Sequence, residues 1–225
     1  MSTSRQLPAW RSVLAVVAHP DDESFGLGAV LASLALTSRV RLLCFTHGEA
    51  STLHGIAGEL RTVRESELRA AAAELGLETV ELLDHPDGQL GSATAETLAD
   101  QVVQAAHAGR AEALIVFDPS GVTGHPDHRA ATTGACRAAR RLGLPALAWT
   151  IPDSVAAALN REFGTTFVGQ AKTAIDIEVT VDRQRQRAAI SRHASQAVPT
   201  IALWRRLELL GDTEYLRWLP DPTRT

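Results

Sequence analysis

Only two cysteines, Cys44 and Cys136, occur in 225 residues, far apart and with no Cys-x-x-Cys spacing. That argues against an oxidising compartment and for a reducing cytoplasm. No apolar run approaches the roughly 18 to 20 residues that cross a bilayer, which excludes membrane insertion by a helix. No excess of one charge is present, the net value being −4, so neither nucleic acid nor an anionic membrane surface is an expected partner. A single lysine, Lys172, stands against many arginines, a bias of composition rather than of chemistry. The opening stretch Met1 to Trp10 is short and polar, and Val13–Ala18 runs into acidic residues rather than a small-residue cleavage site, so no secretory signal is expected. Internal repeats and low-complexity linkers are also missing. What remains is 45 % hydrophobic residues, enough for one well-filled core, and a single domain over 1–225 is expected.

Strand-like apolar runs alternate with longer helical patterns, which predicts an α/β fold, a Rossmann-like three-layer sandwich with a mostly parallel sheet. Strands are expected at Ser12–Ala18, Val40–Phe45, Thr79–Leu83, Ala113–Phe117, Ala146–Thr150 and Ala174–Val181. Helices are expected at Glu23–Leu36, Gly58–Leu75, Ala93–His107, Asp127–Leu142, Ser154–Asn160, Asp182–Gln196 and Thr200–Leu210. In such sheets ligands bind beyond the carboxyl ends of the strands, where the loops gather.

The tripeptide His-Pro-Asp lies in those loops three times, at His19-Pro20-Asp21, His85-Pro86-Asp87 and His125-Pro126-Asp127. From the chain's own composition even one copy is expected only about 0.02 times. Two copies extend into His19-Pro-Asp-Asp-Glu23 and Gly124-His-Pro-Asp-His128, which together hold three imidazoles and four carboxylates. His19 and Asp22 are three residues apart across a strand end and a helix start, and His125 and His128 repeat that spacing. Two imidazoles and one carboxylate would leave coordination positions open, as catalytic zinc or ferrous iron requires.

Ala18-His-Pro-Asp-Asp-Glu23 followed by Gly124-His-Pro-Asp-His-Arg-Ala130 resembles the LmbE-like, or PIG-L, family of zinc-dependent N-deacetylases. Phe45-Thr-His-Gly-Glu-Ala50, Arg64-Glu-Ser-Glu-Leu68 with Leu75-Gly76, Asp87-Gly88, Phe117-Asp-Pro119 and His193-Ala-Ser-Gln196 follow in the family's order. The resemblance implies that His19, Asp22 and His128 bind Zn2+ and that Asp21 is the general base. It further implies that His125 supports the transition state with Asp127 behind it, fixing its tautomer. Arg64, Asp87 and His193 become candidate substrate contacts, with Gln196 beside His193 at the pocket rim. The implied reaction removes an acyl group, most often acetyl, from an N-acetylglucosamine-type conjugate. An alternative is an amidase acting on another amide of a sugar-thiol conjugate or of a natural-product intermediate. Some members carry a tyrosine two residues before the second motif, where this chain has Thr123.

Simpler readings compete at several positions. Asp22 and Asp127 precede or open helices, where carboxylates cap. Arg64 lies in a run of Arg and Glu that suits i,i+4 pairing on a wet face, Asp87-Gly88 suits a plain turn, and Glu49 suits a turn or support of a neighbour. Arg183, Arg185, Arg187 and Arg192 suggest a solvated helix face. His85 is expected to be a loop residue, and Trp149, Trp204 and Trp218 core or lid residues. Gly26-Leu-Gly28 hints at a dinucleotide fingerprint, but its third glycine position is Leu31. Magnesium-dependent phosphoryl transfer or a receiver-like role for Asp21 and Asp22 is disfavoured by the three histidines, since magnesium prefers oxygen. The expected partner is a small amino-sugar conjugate; self-association into a homo-oligomer is compatible with the sequence.

Overall fold

A computed structural model describes residues 3–53, 59–199 and 201–220. Its centre is a seven-stranded sheet in the order β3-β2-β1-β4-β5-β7-β6. The strands are β1 Ser12–Val17, β2 Arg39–Thr46, β3 Thr79–His85, β4 Ala113–Phe117, β5 Ala146–Thr150, β6 Ile177–Thr180 and β7 Thr213–Trp218. Five run parallel, and β7 lies antiparallel between β5 and β6. The helices are α1 Asp22–Phe25, α2 Gly28–Leu34, α3 Leu60–Leu75, α4 Ala95–Gly109, α5 Pro126–Leu142, α6 Asp153–Phe163, α7 Gln184–Arg192 and α8 Ala202–Leu210.

Strand β1 shows why the fold is layered. Val13, Ala15 and Val17 pack on one face with Leu27, Val30 and Leu31, while Leu14, Val16 and Ala18 pack on the other with Leu98, Val102 and Ala135. Alternate side chains point to opposite faces, so a strand apolar at every position is one covered on both sides. β1 pairs with β2 on one edge and β4 on the other, which makes the β1/β4 junction the point where strand order reverses and a crevice opens.

Two elements depart from the expectations drawn from sequence. The helix expected over Glu23–Leu36 is two helices, because the chain breaks at Gly26, where a β-carbon would lie 2.5 Å from the ring of Phe117. Strand β7 was not anticipated. Its inward residues are Leu216 and the charged Glu214, which disguises the alternation. Glu214 is buried because Arg183, expected on a wet face, is itself buried and pairs with it, while Trp149 Nε1 donates to the same carboxylate at 2.7 Å. Gly58 and Thr200, the expected starts of two helices, lie outside the described residues, and α3 and α8 begin at Leu60 and Ala202.

Candidate metal centre

The carboxyl ends of β1 and β4 deliver the two histidine motifs to one cleft of about 610 Å³. His19 follows β1 directly. Asp22 opens α1, and its Oδ2 accepts the backbone N–H of Ala18 (3.2 Å) and of His19 (3.0 Å), so the strand end itself aims the carboxylate. From the other loop, His125 forms the N-cap of α5, and Pro126, at the first helical position, presets the turn that brings in His128.

Three donor groups converge. His128 Nε2 lies 3.0 Å from Asp22 Oδ1, His19 Nδ1 lies 3.3 Å from His128 Nε2, and His19 Nδ1 lies 3.6 Å from Asp22 Oδ2. Donors bonded tetrahedrally to one zinc at about 2.0–2.1 Å would stand about 3.3 Å apart. His125 also offers a nitrogen within 4.8 Å of His19 and His128, but Asp22 supplies the anionic donor at shorter distances. The remaining ring nitrogens face acceptors. His128 Nδ1 meets the Gly121 carbonyl at 3.1 Å and must carry its proton there, with Thr123 Oγ1 at 3.1 Å. His19 Nε2 lies 3.1 Å from Asp87 Oδ1 and 3.3 Å from Asp127 Oδ2. In the neutral rings both protons thus point outward, and two lone pairs with a carboxylate face one point, an arrangement that suits a cation.

Charge follows the same geometry. Burial lowers the pKa of His19, but Asp127, Asp22 and Asp87 outweigh it and raise the value well above the usual imidazole range. His128 is likewise raised, burial again opposing and Asp22 dominating the other way. Asp22 is pushed up by burial yet held well below the carboxylate range by the two imidazoles.

Asp21 is set apart from Asp22 by its backbone. Its φ of 107° is a left-handed conformation that costs a non-glycine residue about 1–3 kcal/mol. Glu23 Oε2 holds it by accepting the Asp21 N–H at 2.9 Å, and Arg64 pairs with Asp21 Oδ2 at 2.7 Å. Burial pushes the Asp21 carboxyl up to about 6; Arg64 pulls it down and Asp22 adds to the rise. A divalent cation next to it would lower it again.

Several sequence expectations change here. Arg64 is buried, not on a wet face; besides Asp21 it binds the carbonyls of Gly48, at 2.7 Å, and Pro20. Gly48 has φ 65°, and a β-carbon there would lie 2.3 Å from the Arg64 guanidinium, so only glycine admits the side chain. Asp127 fixes the His125 ring through its backbone and not through its carboxylate. Its carboxylate takes Gly88 N–H (2.8 Å), Leu90 N–H (3.0 Å) and His19, whereas His125 Nδ1 accepts the Asp127 backbone N–H at 3.2 Å. His125 therefore carries its proton on Nε2, and burial with the two neighbouring imidazoles lowers its pKa, disfavouring the imidazolium. His193 is fully buried rather than on the rim, with Nε2 at 2.6 Å from Glu23 Oε1. Gln196 is also buried and accepts from Ser51 Oγ at 2.7 Å, and Ser51 does line the cleft. Asp87 lines the cleft too, with Oδ2 on the Ala50 N–H (2.8 Å) and its own N–H on Glu49 Oε1 (3.1 Å). His85 ends β3 and meets Gln101 at 2.8 Å. Glu49 supports a neighbour, one of the two roles its position suggested, whereas the pairing of Glu23 with His193, 170 residues away, had no local sequence signal.

A family profile described as PIG-L, GlcNAc-PI de-N-acetylase, matches residues 14–139, more than half of the chain. The chain belongs to the PIG-L family. This PIG-L chain is 32 % identical over 143 residues to a probable N-acetylglucosaminyl-phosphatidylinositol de-N-acetylase of Schizosaccharomyces pombe, covering 60 % of this chain and 55 % of that one. It is 30 % identical over 236 residues to a 1D-myo-inositol 2-acetamido-2-deoxy-alpha-D-glucopyranoside deacetylase of Nakamurella multipartita, covering 82 % and 79 %. The chain spans about half the length of the first of these relatives. The fold is that of N,N'-diacetylchitobiose deacetylase from Pyrococcus horikoshii, with TM-score 0.69, 20 % identity, and 94 % of this chain and 84 % of that one covered. Among the described residues, no helix is long and apolar enough to cross a membrane.

Proposed function

We propose that this chain is a zinc-dependent hydrolase that removes an acyl group, acetyl in the simplest case, from the amide nitrogen of an N-acetylglucosamine-type conjugate. The observation that carries the reading is the convergence of His19, Asp22 and His128 beside a separately anchored carboxylate, Asp21, in one cleft. The curated relatives' names, deacetylases of glucosaminyl conjugates, support the substrate class. A bound zinc would supply Lewis acidity toward the carbonyl and acidify water.

Asp21 takes a proton from the attacking water and passes it to the leaving nitrogen as the C–N bond breaks. His125 lines the cleft as a neutral imidazole whose Nε2–H hydrogen-bonds the developing charge on the carbonyl oxygen. Asp127 and Asp87 together hold the outer nitrogen of His19, and Asp87 retains lone pairs for a sugar hydroxyl. Arg64 has protein acceptors for most of its donors, so it acts first on Asp21 and borders the sugar second. His193 contributes through Glu23, without touching substrate.

Metal-replete protein given a panel of N-acetylglucosamine conjugates should release free amine, chelation should stop it, and zinc should restore it. Full activity in protein shown by elemental analysis to be metal-free would overturn the proposal. Metal affinity also has an expected pH dependence. The ligand imidazoles must be neutral to bind, and their raised pKa values move the loss of affinity to higher pH than for free imidazole. Below both pKa values apparent affinity should fall by up to about 100-fold per pH unit, two protons being exchanged for one cation. Titration calorimetry with zinc in a metal buffer across pH 5 to 8 measures the slope; a flat profile would remove the histidine pair from the site.

A further inference from the structure

One cationic side chain in the cleft has no work in the chemistry described above. Arg206, on α8, lines the same cleft as His19 and Asp22 and is 5 % exposed. Phe25, Gly26, Ile201, Ala202 and Leu203 line the cleft with it; Asp22 lines it too and acts on the guanidinium through its charge, but forms no ion pair with it among the described residues. One guanidinium nitrogen donates to the Phe25 carbonyl, and the group lies 5.1 Å from the centroid of the Trp149 ring. Nε is buried and has no hydrogen-bond partner among the described residues.

Two acids act on it in charge terms: Glu214, which is committed to Arg183 and to Trp149 Nε1, and Asp22, which is committed to His19 and His128. The buried group of Arg183, Arg206 and Glu214 therefore carries one positive charge more than it balances. Burial pulls the Arg206 pKa down to about 10, Glu214 opposing and Arg183 adding to the fall, so the side chain is still charged at neutral pH. A buried cation without a partner is costly and is retained where a partner arrives from outside. Tryptophan beneath it holds the guanidinium plane without neutralising it.

We propose that Arg206 binds an anionic group, a carboxylate or phosphate, on the part of the conjugate beyond the reacting acetamide, and so makes this cleft selective for acidic amino-sugar conjugates. The proposal rests on the function proposed above and deepens it. Phe25, which Arg206 grips, lies one turn of α1, about 5 Å along the axis, from the metal ligand Asp22. An anion on Arg206 thus sits in the same cleft but off the metal. Arginine suits either oxyanion, because its planar fork matches both.

The test uses three probes: an N-acetylglucosaminide of glycolic acid, its methyl ester, and N-acetylglucosamine 1-phosphate. Metal-replete wild type should show kcat/KM for the acid at least about tenfold above that for the ester, expressed in KM. In Arg206→Gln the acid-to-ester ratio should fall toward one, and Arg206→Lys should keep part of it. The ratio is internal to each preparation, so partial unfolding of a variant does not mimic the result. The phosphate probe tells a phosphate preference from a carboxylate preference, and either supports the proposal if its advantage disappears in Arg206→Gln. Equal kcat/KM for acid and ester in wild type, or an undiminished ratio in Arg206→Gln, would overturn it while leaving the deacylase reading intact. If no probe is hydrolysed, the deacylase reading fails on these substrates, and calorimetric binding of acid against ester to wild type and Arg206→Gln still decides the anion site. Tighter acid binding that is lost in Arg206→Gln supports it, and equal binding overturns it.

Discussion

Asp21→Asn should keep near-normal zinc and fold but lose turnover by about 10²-fold or more, the scale of a general base. Asparagine preserves the shape, and its carbonyl oxygen can still accept from Arg64, as Asp21 Oδ2 does at 2.7 Å. What it cannot do is take a proton. Asp22→Ala should behave differently. It removes an anionic donor from the focus with His19 and His128 and also frees the N–H groups of Ala18 and His19 that Asp22 orders. Zinc affinity should fall by more than the roughly 10–100-fold that loss of an outer partner costs, and activity should go with it. The variants differ in pH behaviour as well. The wild-type activity should decline as pH falls through the Asp21 value, about 6 before a cation lowers it, because the base must be ionised. With zinc held saturating across the range, that limb should vanish in Asp21→Asn. Zinc affinity and turnover measured on both variants decide the assignment: a metal-depleted Asp21→Asn beside a loaded Asp22→Ala would mean the pair is exchanged.

Why these neighbours divide their work is local and therefore legible in the chain. A strand ending at Val17, just before His19, a proline and a helix starting at Asp22 confine Asp21 to a tight turn with φ 107°, and its side chain pairs with Arg64 while that of Asp22 meets His19 and His128. The same holds for His125 and His128, one helical turn apart across a proline. The parallel half of the sheet was equally readable, because short, largely apolar strands alternate with longer helical patterns. Contacts across long sequence separation were not readable. Asp127 sits two residues from His125, and adjacency suggested service to that ring, yet its carboxylate turns to His19, 108 residues away. Arg64 reaches Asp21 from 43 residues away, and its surroundings of Arg and Glu resemble a solvated face. Arg183 with Glu214, separated by 31 residues, misled twice, once about the helix face and once about the hidden strand β7. In each case a charged residue was buried with an opposite charge, and hydrophobic periodicity carries no trace of such a pair.

The second large effect expected lies in the pair His193 and Glu23, both fully buried and 170 residues apart. Glu23 accepts from His193, from Ser24 Oγ at 2.5 Å and from the backbone of Asp21, so the pair fastens α7 to the strained turn that carries Asp21, the proposed base. His193→Phe would leave the carboxylate buried without its cation, and breaking such a pair on one side costs about 3–5 kcal/mol. For a chain of this size that corresponds to a fall in Tm on the order of 10 °C. The pH dependence gives the cause away. Burial opposes charge on His193, but Glu23, then Asp21 and Glu67, raise its folded pKa above the usual imidazole value. A group whose pKa is raised on folding stabilises fully below its unfolded pKa, about 6.5, and that stabilisation is lost as pH rises through the folded value. Denaturant unfolding of metal-free protein should therefore show the wild type losing an increment of stability above about pH 6.5. His193→Phe should show a smaller increment, the remainder coming from His19 and His128, whose pKa values are also raised, and should be less stable at every pH, most of all on the acid side of the window. Its turnover should fall too, because Glu23 no longer has a fixed position from which to hold Asp21. Equal stability of wild type and His193→Phe at pH 6 would show that the buried pair contributes nothing, and the strained turn would then need another anchor.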